Sequence, residues 1–211
     1  MRRLFLLAWL LVPVAAGAYH FGPGQDRLRG DEIAALVSTA RLAADNARTI
    51  AAAEGDEAAR GEWTNADEAF TKALALLSAE QKHEARSLRV ERAKAREFTG
   101  KLFEAKAELE QVVAEITSDK DADRALLADA RNALANAQYY STWLLRLEGA
   151  PRAEWGPVID ASRQNYKLLA SEAQDRSEVE VARVAEKDLE AAIRLERMSL
   201  EDLQGLPLPS Q

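Results

Sequence analysis

Residues 61–77 read GEWTNADEAFTKALALL, and residues 100–116 read GKLFEAKAELEQVVAEI. Both stretches open on a glycine. Two positions on stands a large side chain, Trp63 or Leu102, and three further an alanine, Ala66 or Ala105. Four beyond that comes Phe70 or Leu109, and after three more Ala73 or Val112. Steps of three and four residues place all of these on one side of an α-helix. An amphipathic helix that recurs after a few tens of residues marks stacked helical repeats, in which neighbouring units bury the apolar faces that one unit cannot bury alone.

Composition agrees with a helical fold. The chain has 211 residues, 47% of them hydrophobic, enough for one domain with a sizeable core. Glycine (10) and proline (6) are scarce, whereas the strong helix formers alanine, leucine, glutamate and arginine are plentiful. These features predict an all-α fold. A net charge of −7 argues against general nucleic-acid binding. Cysteine is absent, which excludes disulfides, thiolate metal sites, a cysteine nucleophile and cysteine lipidation.

Residues 1–18, MRRLFLLAWLLVPVAAGA, have a basic start at Arg2 and Arg3, an apolar run over 4–14, and small residues at Ala16, Gly17 and Ala18. That order predicts a secretory signal peptide, with export to the periplasm or beyond and no stable membrane insertion after cleavage. The alternative is an uncleaved N-terminal anchor, although the run is shorter than the ~20 residues needed to span a bilayer and Pro13 interrupts it. Residues 19–30 hold Gly22, Pro23, Gly24 and Gly30 and predict an irregular lead-in. Seven helices are expected over residues 31–198. The first starts after Asp31, the second runs to Leu77, and the third spans 80–98. The fourth covers 101–116, the fifth 124–147, the sixth runs from Pro157 to Ser171, and the seventh covers 177–198. Residues 199–211 are expected to be an extended tail.

At Gly61, Trp63, Ala66, Phe70 and Ala73 the chain resembles the second helix of a tetratricopeptide repeat, and Gly100, Leu102, Ala105, Leu109 and Val112 resemble it with aliphatic replacements. A weaker copy lies at Ile159, Ser162, Tyr166 and Leu169. The departures are specific. Gly61 and Gly100 lie further apart than the family repeat of about 34 residues, and Ser78 stands where the family often has proline. The resemblance implies a right-handed stack of antiparallel helix pairs, a concave face lined by the first helix of each pair, a C-terminal capping helix, and protein or peptide partners.

Two stripes are candidate partner-binding surfaces. Lys82, Arg86, Arg89, Arg92 and Arg96 follow one another down one side of the third helix. On the family's pattern Arg86, Arg89 and Arg96 would face a partner, and an acidic peptide, a carboxyl terminus or a phosphate suits them. The alternative is a solvated face neutralised by Glu57, Asp67, Glu68, Glu104 and Glu108. On the fifth helix Asn132, Asn136, Tyr139 and Trp143 form a second stripe with Tyr140 beside it, a composition common in recognition surfaces. Alternatively Trp143 and the tyrosines pack against Trp155 and Tyr166. The expectation is that Arg86, Arg89, Asn132 and Asn136 line one groove.

No catalytic or cofactor pattern emerges. His20 and His83 are the only histidines, and neither has the companions of a triad or a zinc helix. The run Asp119, Asp121, Asp123 lacks the glycine and the glutamate of a calcium loop and reads instead as a turn and helix cap. The sequence therefore predicts an exported, non-enzymatic binding scaffold without metal or cofactor. A structural subunit of a larger envelope assembly is the alternative.

Overall fold

In the computed structural model, residues 23–203 are described. The signal-peptide reading of residues 1–18, the first residues of the lead-in and the last part of the tail lie outside them.

Eight helices follow one another among these residues: α1 Pro23–Glu54, α2 Asp56–Leu76, α3 Lys82–Glu97, α4 Leu102–Ser118, α5 Arg124–Leu147, α6 Arg152–Asp175, α7 Val179–Arg197 and α8 Leu200–Leu203. Each of the first six packs against the next in chain order, α3 also touches α5, and α8 touches α5. The fold is all-α, built of helices in adjacent pairs.

The repeated stretch forms the faces expected of it. Trp63, Ala66, Phe70 and Ala73 of α2 are buried, and so are Ala105, Leu109 and Val112 of α4. Burying a residue such as Phe70 or Leu109 stabilises the fold by about 1.5–3 kcal/mol. The core runs as three connected clusters. Ala40, Ala44 and Ala47 of α1 meet Trp63 and Phe70 of α2 and Leu88 of α3. Val90 and Ala93, on another side of α3, meet Leu109 and Ile116 of α4 and Leu134 of α5. Ala135 and Tyr139 of α5 then meet Ile159 and Tyr166 of α6 and Leu195 of α7. Thus α3 and α5 each serve two clusters. Alanine at most contact points lets these helices approach closely, and Ser162 Oγ donates to the Ala135 carbonyl at 2.9 Å where α6 crosses α5.

Several boundaries differ from the sequence reading. The lead-in is helical from Pro23 onward, because proline at a helix's first position gives up an N–H that has no partner anyway. The turn before α2 is made by Gly55, whose φ of 94° is easy only for glycine. Gly61 is already inside α2, and a Cβ there would meet nothing within 4 Å, so it is no close-packing glycine. Helix α6 begins at Arg152, with Pro157 inside it instead of starting it. The start of the tail folds into α8, whose Leu203 is fully buried in the third cluster. Arg146 of α5 holds this end: its guanidinium donates to the Leu195 carbonyl, and at 2.5 Å to that of Met198, serving carbonyls that a helix C-terminus leaves open.

Candidate functional site

The arginine stripe of α3 lies against α2 and α4. Arg86 Nη1 donates to Asp119 Oδ2 at 2.6 Å, and Arg89 Nη1 donates to Glu115 Oε1 at 2.8 Å. Arg92 donates to Glu108. Arg96 donates through Nε to Asp67 Oδ1 at 2.8 Å and through Nη1 to Glu108 Oε2 at 3.2 Å. Lys101 Nζ closes the series on Asp67 Oδ2 at 2.7 Å. Burial alone would raise the Asp67 carboxyl, but hydrogen bonds from Lys101 and Arg96 outweigh it and hold the group below its ordinary value. The Arg86 hydrogen bond likewise lowers Asp119. Of the carboxylates named for neutralisation, Asp67 and Glu108 meet the stripe, joined by Glu115 and Asp119. These arginines are held in a seam of ion pairs between helices.

A cleft of about 860 Å³ opens elsewhere, between the end of α1, the start of α2, the end of α3 and the middle of α5. Its size falls in the usual range for ligand pockets. Trp63, Phe98, Phe103, Trp143 and Leu144 belong to its apolar wall. Trp63 and Phe98 stack with ring centroids 4.5 Å apart, and the Arg48 guanidinium lies 5.8 Å from the Trp63 ring centre.

Asn132 and Asn136 both line this cleft. Asn132 is exposed. Asn136 is fixed from behind, its Oδ1 accepting the Tyr166 hydroxyl proton at 2.6 Å. Tyr139 is not at the cleft: it is only 6% exposed and packs into the third core cluster, edge-on to Tyr140 at 5.6 Å. Tyr140 takes the cleft position instead. Trp143 does both jobs, lining the cleft and covering the third cluster. Arg86, Arg89 and Arg96 do not line the cleft. The two candidate stripes are therefore not brought to one groove. The reason is helical phase: α3 turns its arginine side to α4 and only its last turn to the cleft.

One residue of that last turn escaped the sequence reading. Glu97 lines the cleft, and its Oε1 is buried without a hydrogen-bond partner. Burial pushes its carboxyl up to about 8, with a smaller downward pull from Lys94. The signal was present: Val90, Ala93 and Glu97 step down one side of α3, so an acid stands where the pattern calls for an apolar residue. It also stands at a helix C-terminus, the end that disfavours negative charge.

Among the described residues no group of His, Cys, Asp and Glu could hold a metal ion. Asp119 Oδ1 accepts the Asp121 amide at 3.2 Å, and Asp123 Oδ1 accepts the Ala125 amide at 2.7 Å to cap α5. His83 is exposed on α3, and His20 lies outside the described residues. No described helix is long and apolar enough to cross a membrane. No family model, curated protein or solved structure matches this chain.

Proposed function

We propose that this chain is an exported, non-enzymatic helical-repeat scaffold of the bacterial cell envelope that holds a segment of a partner protein. The observation that carries this reading is the cleft between the first helix pair and α5, with aromatic walls, two asparagines and three acids. Flat apolar rings beside adaptable amides suit recognition of a protein segment. The tetratricopeptide-like spacing supports a right-handed stack with α1, α3 and α5 toward the partner. The signal-like residues 1–18 support export.

The test is capture of a partner from the envelope fraction with the tagged protein, in parallel with two variants. Asn132→Lys puts a charged chain into the cleft from an exposed position. Arg86→Gln with Arg89→Gln leaves the cleft alone. A partner lost with the first variant and kept with the second supports the reading. The reverse pattern would return binding to the arginine stripe.

A second reading, a structural subunit without a ligand groove, draws on Val179, Val181 and Val184, which leave α7 with exposed apolar side chains. Light scattering of the wild type and of Val181→Glu with Val184→Glu distinguishes it. Self-association abolished by the pair of substitutions would favour the assembly.

A further inference from the structure

Five buried side-chain nitrogen or oxygen atoms lack a hydrogen-bond partner among the described residues: Trp63 Nε1, Glu97 Oε1, Ser141 Oγ, Trp143 Nε1 and Arg163 Nε. Such atoms are few in native proteins, and each calls for a reason. Three of the five belong to residues that line one cleft, and they come from α2, α3 and α5. Chance scatter over eight helices would not gather them so.

Resting on the cleft as the binding surface, we propose that its floor is a subsite for an uncharged hydrogen-bond acceptor, a carbonyl or hydroxyl carried on an apolar peptide segment and held by the Glu97 carboxyl and the Trp143 indole N–H. Trp63 contributes less, because its stack on Phe98 and its 4% exposure leave it little room to turn. Glu97 Oε1 and Trp143 Nε1 are closed to solvent although both residues are only partly buried, so each side chain must turn toward the cleft to meet a seated ligand.

The charge preference follows from what the neighbours do. Every cation lining the cleft is paired with some other carboxylate. Lys94 of α3 goes to Asp129 at 2.6 Å, Arg48 of α1 to Asp45 at 2.5 Å, and Arg60 of α2 to Glu57 at 2.6 Å. Asp56 of α2 adds a further negative charge at the rim. From α5 and α6 the ionisable groups near Glu97 are the phenols of Tyr140 and Tyr166. Glu97 thus has no cation paired to it and feels only the weaker pull of Lys94, and with its carboxyl pushed up to about 8 it keeps its proton at neutral pH. A protonated acid and an indole N–H both donate, so they call for an acceptor. An anion finds no unpaired cation here. A cation must displace the Glu97 proton while sitting among Arg48, Arg60 and Lys94.

The experiment uses the full chain and one apolar tripeptide, leucyl-phenylalanyl-leucine, in three forms: capped at both ends, with a free amine only, and with a free carboxylate only. Affinity is measured by calorimetry from pH 5.5 to 9.5, and the indole N–H resonances are followed by NMR. The capped form is expected to bind best and to move the Trp143 indole resonance. Its affinity should be flat below pH 7 and fall about tenfold per pH unit above 8, as Glu97 ionises. Glu97→Gln, which keeps an uncharged donor, should remove that fall, and Glu97→Ala should weaken binding about tenfold at pH 6. Tightest binding of the amine form, growing stronger with pH, would overturn the proposal, as would binding indifferent to Glu97 and pH; either leaves the cleft reading standing. Binding of none of the three also overturns it, and the Asn132→Lys capture then decides whether the cleft reading falls too.

Discussion

Helix α3 carries two kinds of polar chemistry on two of its sides. Along one, Arg86, Arg89, Arg92 and Arg96 meet Asp67, Glu108, Glu115 and Asp119, and each guanidinium finds a carboxylate. At the end of the other, Glu97 has no partner at all for its buried Oε1. The first region is rich in charge and satisfied; the second has one acid and is unsatisfied. Charge density alone therefore does not locate a binding surface. A side chain whose interactions are complete within the fold has little left for a partner, whereas a buried group left incomplete needs either a ligand or a reason.

The largest effect that could break this comparison is on stability. Glu108 is shared by Arg89, Arg92 and Arg96 and is about 9% exposed. Glu108→Ala should cost about 2–3 kcal/mol in urea denaturation, somewhat less than a fully buried pair because the arginines keep some solvent. A loss near zero would mean that the seam is ordinary solvated surface.

Next comes the pH response of Glu97. The native chain retains a proton that the unfolded chain releases near the ordinary 4.5, until pH reaches about 8. The unfolded state then binds fewer protons than the native state, so stability falls as pH rises through that window, by at most about 1.4 kcal/mol per unit. Between pH 6 and pH 8 this contribution amounts to about 2 kcal/mol, and Glu97→Gln should remove it from the denaturation curves. Equal slopes in wild type and variant would place Glu97 in an ordinary solvated setting.

A smaller effect is expected on partner affinity. Asn132→Lys should weaken it about tenfold, or about 1.4 kcal/mol, while Arg86→Gln with Arg89→Gln changes it less than twofold. Smallest of all is the outlying pair Arg41–Glu91, at 2.7 Å with Arg41 57% exposed. Arg41→Ala should cost less than about 0.5 kcal/mol, and salt should erase even that. A larger loss would blur the line between the seam and ordinary surface pairs.

The sequence was most legible where one helix face sets the outcome. The spacing of Trp63, Ala66, Phe70 and Ala73 named a core face without knowledge of the partner helix, because the 3.6-residue period requires it. Asp123 was legible as a cap because its side chain acts locally, on the Ala125 amide. Boundaries were less so. Gly30 and Pro157 are punctuation in a single sequence, yet helices α1 and α6 run through them. At Gly30 the exposed first turns of α1 carry a local cost of about 1 kcal/mol without ending the helix. Leu203 looked like part of a tail because its burial depends on the contacts of a remote helix, α5.

The site was half legible. Asn132 and Asn136 were named from their stripe, and both reach the cleft. The arginine stripe was visible too, but whether it faces solvent, a groove or α4 depends on helix rotation within the stack, which periodicity does not fix. Glu97 could have been suspected from its place after Val90 and Ala93. An isolated helix gives no way to know that Lys94, on the same helix, and Arg48 and Arg60, on its neighbours, turn to other carboxylates.

The most direct measurement is a carbon-13 NMR titration of the side-chain carboxyls in the folded protein. It reads both regions in one experiment. The expected result is a Glu97 midpoint at about 8, with Asp67 and Asp119 titrating below their ordinary 3.8. A Glu97 midpoint near 4.5 would contradict the account, because the acid would then be as well satisfied as the seam it is contrasted with.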